Sequence, residues 1–343
     1  MLPVKKSWMS FMIAGMVAAL TLSLSDSHSA EPADNGQGDI VGYSEPQANR
    51  VSFSGNMAIF ANNYHYKEVV NNANFVEHSG KFSGGGEFNW RMDYGILSLG
   101  TDLSFKVGKV RYSSASGVSP DETYQIIEPR AIVGIKTSFD DWNNNPITLN
   151  PYTGFGYRYY YNDARSPLYS GSKRPNIGGY RRETEYWYLP LGLSLDGEVM
   201  RLTPSTKTDQ KHDTNEFWQN RITWKFNFEY DLLLSALNRS YLGDIYGCYS
   251  ASSCPAGVSI ADLTIDNRKD AGTGFGLKAS LEFGYNNISF GPYYDYWEMS
   301  RYKGVSKDFS NYPELVNQTT GSTTFYEPAN VTTEVGIRLR LGF

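Results

Sequence analysis

The sequence predicts an all-β chain: a single antiparallel, up-and-down transmembrane barrel of about ten strands. Three observations carry that expectation. Apolar residues recur at every second position in segment after segment beyond residue 50. The connections between those segments alternate short and long. The 343 residues include 26 Tyr, 18 Phe and 33 Gly, which suits many strands with aromatic belts and tight turns.

The first thirty residues read as a targeting segment. Lys5 and Lys6 give a positive start, and Trp8 to Leu24 an apolar core containing Phe11, Met12, Ile13, Met16, Val17 and Leu20. Ser25 to Ala30 is a small-residue stretch. Residues 1–29 are therefore expected to be a cleaved signal peptide, with cutting after Ser27, Ser29 or Ala30 left open. Residues 30–49 are polar, contain Gly and Pro and lack periodicity, so a flexible periplasmic lead-in is expected there, with the barrel spanning 50–343. No later run of about twenty apolar residues could form a helical anchor.

The strands follow in order. Imperfect alternation marks 50–63 and 80–93. Leu97, Leu99, Leu103, Phe105 and Val107 then alternate with Ser98, Gly100, Asp102, Ser104 and Lys106. Segments 122–139, 146–161 and 182–196 repeat the pattern less cleanly. Ile222, Trp224, Phe226, Phe228, Tyr230 and Leu232 alternate with Thr223, Lys225, Asn227, Glu229 and Asp231. Phe275, Leu277, Ala279, Leu281 and Phe283 alternate with Gly276, Lys278, Ser280 and Glu282, and 287–302 is a further copy. In the last strand, Val331, Thr333, Val335, Ile337, Leu339, Leu341 and Phe343 share one face; Glu334, Gly336, Arg338 and Arg340 share the other.

Short links are expected at Asp93-Tyr94-Gly95, Asp140 to Asn145 and Tyr285-Asn286-Asn287. Long ones are expected at 64–79, 113–121, 162–181, 236–269 and 303–326. Membrane barrels have short periplasmic turns and longer outer loops. One link breaks the rule: 197–215 is long and charged, and a strand at Val199 to Leu202 would raise the count to twelve.

Gly336, Leu339, Leu341 and the terminal Phe343 carry a resemblance. They resemble the assembly signal of bacterial outer-membrane β-barrels, and Tyr326-Glu327-Pro328 through Gly336 is similar to the end of uncharacterised members of that class. The resemblance implies residence in the outer membrane of a Gram-negative bacterium and contact with its lipid and lipopolysaccharide. It also implies insertion by the barrel assembly machinery, as a monomer.

With the oily face in lipid, the other face lines the lumen. It carries Glu87, Arg91, Asp102, Lys106, Glu128, Arg130, Lys136, Arg158, Lys225, Glu229, Asp231, Lys278, Glu282, Asp295, Glu334, Arg338 and Arg340. Tyr152, Tyr160, Tyr186, Tyr188 and Tyr293 add bulk on the same face. Eight strands leave an interior just filled by side chains, and sixteen a water channel. At about ten, mixed charges would pair and close the lumen, or gate a narrow pore for small polar solutes. Tyr157, Tyr159, Tyr161, Trp187, Trp224, Tyr294, Tyr296 and Trp297 are expected at the membrane interfaces.

Catalysis is not expected. Ten strands invite comparison with omptin proteases, but His65 lies near the top of the first strand, His78 in the first long link, and His212 in a periplasmic one, without a matching aspartate pair. No serine is fixed against a histidine, as a lipid hydrolase would need. Gly84-Gly85-Gly86 falls inside a strand and is no phosphate loop. No metal or other cofactor is implied, and a net charge of −5 without a basic block argues against nucleic acid. Cys248 and Cys254 are placed by the export signal in an oxidising compartment, so a small-loop disulfide is expected, with two free thiols as the alternative. The link at 162–181, with Arg165, Lys173, Arg174, Arg181 and Arg182, is basic enough to meet lipopolysaccharide phosphates. The expected role is structural, adhesive or surface ligand-binding. A narrow channel is the alternative, and a rim-active omptin-like protease or lipid hydrolase is less favoured.

Overall fold

The computed structural model describes residues 51–70, 74–114, 117–140, 146–164, 180–201, 221–246, 263–308 and 322–343. The targeting segment, the lead-in, Cys248, Cys254 and His212 lie outside them, as do Arg165, Lys173 and Arg174.

The strands are β1 Val51–Val70, β2 Asn74–Tyr94, β3 Leu97–Ser114, β4 Gly117–Ile135, β5 Thr137–Asp140, β6 Pro146–Asp163 and β7 Arg181–Arg201. They continue with β8 Arg221–Tyr241, β9 Thr264–Lys269, β10 Gly274–Tyr285, β11 Ile288–Met299, β12 Val305–Asp308, β13 Ser322–Phe325 and β14 Ala329–Gly342. Ten of them, β1, β2, β3, β4, β6, β7, β8, β10, β11 and β14, pair antiparallel in a closed ring. β5 prolongs β4 along β6, β9 pairs with the upper part of β8, and β12 and β13 form a separate hairpin. Closure comes from β14 lying against β1, from Asn56↔Gly342 to Val69↔Ala329. Phe343 exchanges both backbone hydrogen bonds with Gly55 at 2.9 Å, and its ring packs near Phe88. The sheet therefore has no open edge along its main ladder.

All ten expected spans are strands, and the twelve-strand alternative is corrected. Val199 to Arg201 continue β7 and pair with β8, as Met200↔Ile222 and Arg201↔Arg221, so they add no hairpin. The two-residue turns after Tyr94 and Tyr285 are as short as expected, with Gly95 and Asn286 at φ 57 and 54. That left-handed conformation suits Gly and Asn in tight hairpins.

The strands also run well past their expected ends. β1 and β2 cover most of the expected link 64–79, β3 and β4 most of 113–121, and β8 and β9 the two ends of 236–269. The 20 residues of β1 rise roughly 50 Å at the usual pitch and tilt, about twice the height of a membrane barrel's apolar band. The outer face shows the same division. Near the short-turn end it is oily, with Ile59 64% exposed, Ile337 61% and Phe290 58%. Phe105, Val107, Val133, Ile135, Phe155, Leu191 and Phe283 complete the girdle. Above it the outward positions turn polar: Asn63 and Lys67 on β1, Lys109 and Arg111 on β3, Glu183 and Glu185 on β7, Glu298 on β11. Bulges at Asn62/His65, Gly80/Phe82 and Trp187/Tyr188 fall near this change. The lower halves thus suit hydrocarbon, and the upper halves stand clear as a polar collar. This is the architecture of an outer-membrane β-barrel.

Candidate functional site in the barrel lumen

The inward side chains form a layered filling. At mid-height sits Arg158, 2% exposed, on β6. Its Nη1 donates to Glu128 at 2.9 Å and Asp295 at 3.1 Å, and its Nη2 to Glu334 at 2.9 Å. Lys106 donates to Glu334 at 2.8 Å and Asp295 at 3.1 Å, and Asn62 to Glu334 at 2.6 Å. The network continues downward through Lys278, which meets Glu128 at 2.5 Å, Asp231 at 2.9 Å and Glu229 at 3.1 Å. Arg130 joins Glu229 at 2.5 Å to Asp102 at 2.7 Å, and Arg91 reaches Asp102 at 2.5 Å. A second knot nearer the short-turn end ties Arg338 and Arg340 to Glu87 and Glu282 at 2.9–3.5 Å. Lys136 pairs with Asp93. Burial of so many charges is tolerable only because each is matched by partners of opposite sign and by hydrogen bonds.

Above the ionic layer lies an aromatic one. Tyr64 stacks on Tyr124 with centroids 4.4 Å apart, and Tyr160 stacks beside both at 6.1 Å. Trp297 packs against Tyr186 and Tyr188 at 5.3 and 5.1 Å and lies over the Arg158 guanidinium at 5.6 Å. Small residues make room: a Cβ on Gly156 would run into the Tyr188 ring, and one on Gly336 would stand 2.5 Å from the Ala61 carbonyl oxygen. Gly85, in the glycine triplet of β2, leaves space for the Phe60 ring.

Higher still, inside the collar, is a third polar group. Arg182 bonds Glu68 at 2.6 Å, lies 3.8 Å from Glu327 and stacks on Tyr180. The Tyr66 hydroxyl donates to Glu68 at 2.7 Å and Glu327 at 3.3 Å. His78 Nδ1 lies 3.5 Å from Glu122, with Tyr66 edge-on to its ring. Burial pushes the carboxyls of Glu122 and Glu327 up to about 7. Burial, helped by the Arg182 charge, pulls His78 down to about 3. A space of about 20 Å³ bordered by Tyr66, His78, Arg182 and Glu327 suffices for one water.

The structure brings the seventeen expected lumen charges together inside the barrel. Lys225 also faces the lumen but joins no ion pair there. Three placements are corrected. Trp297 was expected at the interface with Tyr296, but adjacent strand residues point to opposite faces, and Trp297 shares the inner face with Tyr293 and Asp295. His78 lies on β2, buried, not in a link. Arg182 is an inward residue of β7 rather than part of a basic loop. Glu68, Glu122 and Glu327, which complete the upper group, were not found from sequence: their stretches carry polar residues on both faces, so no oily stripe marks the inner one.

No family model matches the sequence, and no curated protein matches it. Among solved structures, a TodX deltaS2S3 mutant monoaromatic hydrocarbon channel is similar at 8% identity and TM-score 0.30, over 84% of this chain and 90% of that one. CdiB from Acinetobacter baumannii aligns at 9% identity and TM-score 0.20, over 85% of this chain and 60% of that one. OccAB1 from the same organism aligns at 9% and 0.14, over 84% and 96%. At these levels the likeness reaches neither cargo nor mechanism.

Proposed function

We propose that this protein is a closed barrel of the Gram-negative outer membrane, exported through a cleaved signal peptide, that acts by its raised outer end. Its role is structural, adhesive or ligand-binding at the cell surface, without catalysis. The observation that supports this best is the seat of Arg158, bonded to three carboxylates in the middle of the lumen. A solute travelling along the axis would have to strip that guanidinium from its partners. Leaving a buried charge unmatched costs about 3–5 kcal/mol, and the aromatic layer above would have to part as well.

The open space beneath the plug favours the second reading, a narrow channel. Planar-bilayer recording separates the two. Protein whose folding is verified by a gel shift between unboiled and boiled samples is expected to give no stable conductance steps. Reproducible steps would replace the closed barrel with the channel. The reading also gives His65 and His78 no catalytic part: lipid or peptide turnover that disappears in His65→Ala or His78→Ala would overturn it.

A further inference from the structure

Beneath the plug the lumen widens into a cavity of about 250 Å³ that reaches the short-turn end, with Ser54, Lys136, Asn150 and Asp196 on its walls. A water molecule takes roughly 30 Å³ in the liquid, so this space holds several waters or one small hydrated ion. Most charges around it are already engaged. Glu87 is held by Arg338 and Arg340, Asp102 by Arg91 and Arg130, and Glu229 by Arg130, Lys278 and the Tyr152 hydroxyl.

Lys225 is different. It projects into the cavity from β8 and makes neither an ion pair nor a hydrogen bond among the described residues. Asp196 sits opposite it in the β7–β8 ladder, yet the two are not within ion-pair distance. The Lys225 ammonium feels the positive charges of Arg340 on β14 and Arg91 on β2 together with the negative charges of Asp196 and Glu282, neither of which comes within ion-pair distance of it. Arg338 adds a buried Nε–H without an acceptor. Cations from three walls around a space for several waters, one of them without an ion pair of its own, are an arrangement that an anion completes.

We propose that this cavity binds a small oxyanion of the phosphate class, seated between the Lys225 ammonium and the Arg340 and Arg91 guanidinium groups. A tetrahedral dianion presents oxygens in several directions at once, matching donors that arrive from separate walls; a carboxylate presents only two on one edge. The Arg340 nitrogens already donate to Glu282 and Asn56, so Arg340 contributes its charge, while the Arg91 guanidinium can grip such oxygens. The plug closes the upper way in and the barrel wall separates the cavity from lipid, so the ligand is a soluble anion that enters from the periplasmic end. The site is independent of the surface role proposed above and would stand if that role failed.

The test uses the full mature chain in detergent micelles with inorganic phosphate as probe, against chloride at matched ionic strength. Phosphate is expected to raise the unfolding temperature and to show a broadened ³¹P resonance. Lys225→Gln should weaken phosphate binding at least tenfold, and Lys225→Arg should keep most of it. Asp196→Asn removes the nearby negative charge and should tighten binding, which supplies a second readout if Lys225→Gln fails to fold. The proposal is overturned if phosphate leaves the wild-type chain unshifted, if Lys225→Gln binds as the wild type does, or if acetate binds as tightly as phosphate.

Discussion

Arg158 shows what a single residue does here. Three carboxylates depend on it, and Glu334 is 0% exposed, so removing the guanidinium leaves negative charge in a place water does not reach. Arg158→Met is expected to lower the unfolding free energy by about 3–5 kcal/mol, read by urea titration in micelles. Adding Glu334→Gln should return part of the loss, because it removes one of the stranded charges. That Arg158 faces inward was legible from the sequence, since alternation puts it with Tyr160. Its partners were not: Glu334 lies 176 positions away, and periodicity gives a residue's face but not its neighbours across the lumen. Trp297 failed differently. Aromatic character suggested the interface, and parity, the stronger signal in a strand, sent it inside.

At the scale of elements, the lower half of each strand was readable and the upper half was not. Lipid on one side and charge on the other produce a two-residue rhythm; in the collar both sides are polar, as at Lys67 outside and Glu68 inside, and the rhythm disappears. The hidden half holds the group that fixes the approach to β14. Glu327 lies two residues before that strand and is tied to β1 through Tyr66. Glu327 and Glu122 keep their protons when folded up to about pH 7, whereas an ordinary glutamate releases its proton near 4.5. Between those values the folded state holds more protons on these groups, so their contribution to stability falls as pH rises and levels off above about 7. His78 acts oppositely: it is neutral in the folded state above about 3 and protonated when unfolded below 6.5, so its contribution grows from pH 3 to 6.5. Two carboxyls outweigh one imidazole. The double variant Glu122→Gln, Glu327→Gln should therefore lose less stability than the wild type between pH 5 and pH 7.5, measured as the change in unfolding temperature over that interval.

For the whole molecule, the decisive feature is the change of outer surface from girdle to collar. It predicts where the bilayer ends without reference to any loop. Cysteine placed at Ile59 or Phe290 in reconstituted vesicles should resist a membrane-impermeant maleimide, and cysteine at Lys67 or Lys109 should react readily. Equal labelling at all four sites would mean that the oily band does not sit in lipid. The alternation of short and long connections, readable from residue order alone, gives the barrel its expected orientation. The height of the collar came only from the pairing of strands.

The join between β14 and β1 has a consequence for how the chain is made. Arg340 touches Asn56 across 284 positions of sequence, and the ring is incomplete until its final strand has left the ribosome. Contacts so distant in sequence form slowly, because a long loop must be ordered before they form. Throughout that delay the oily stripes of nine earlier strands have no cylinder to belong to. Shielding of those stripes until the ring closes is thus a demand of the topology itself, and a truncation of even the last few residues should be felt as a failure of biogenesis before it is felt as a loss of stability.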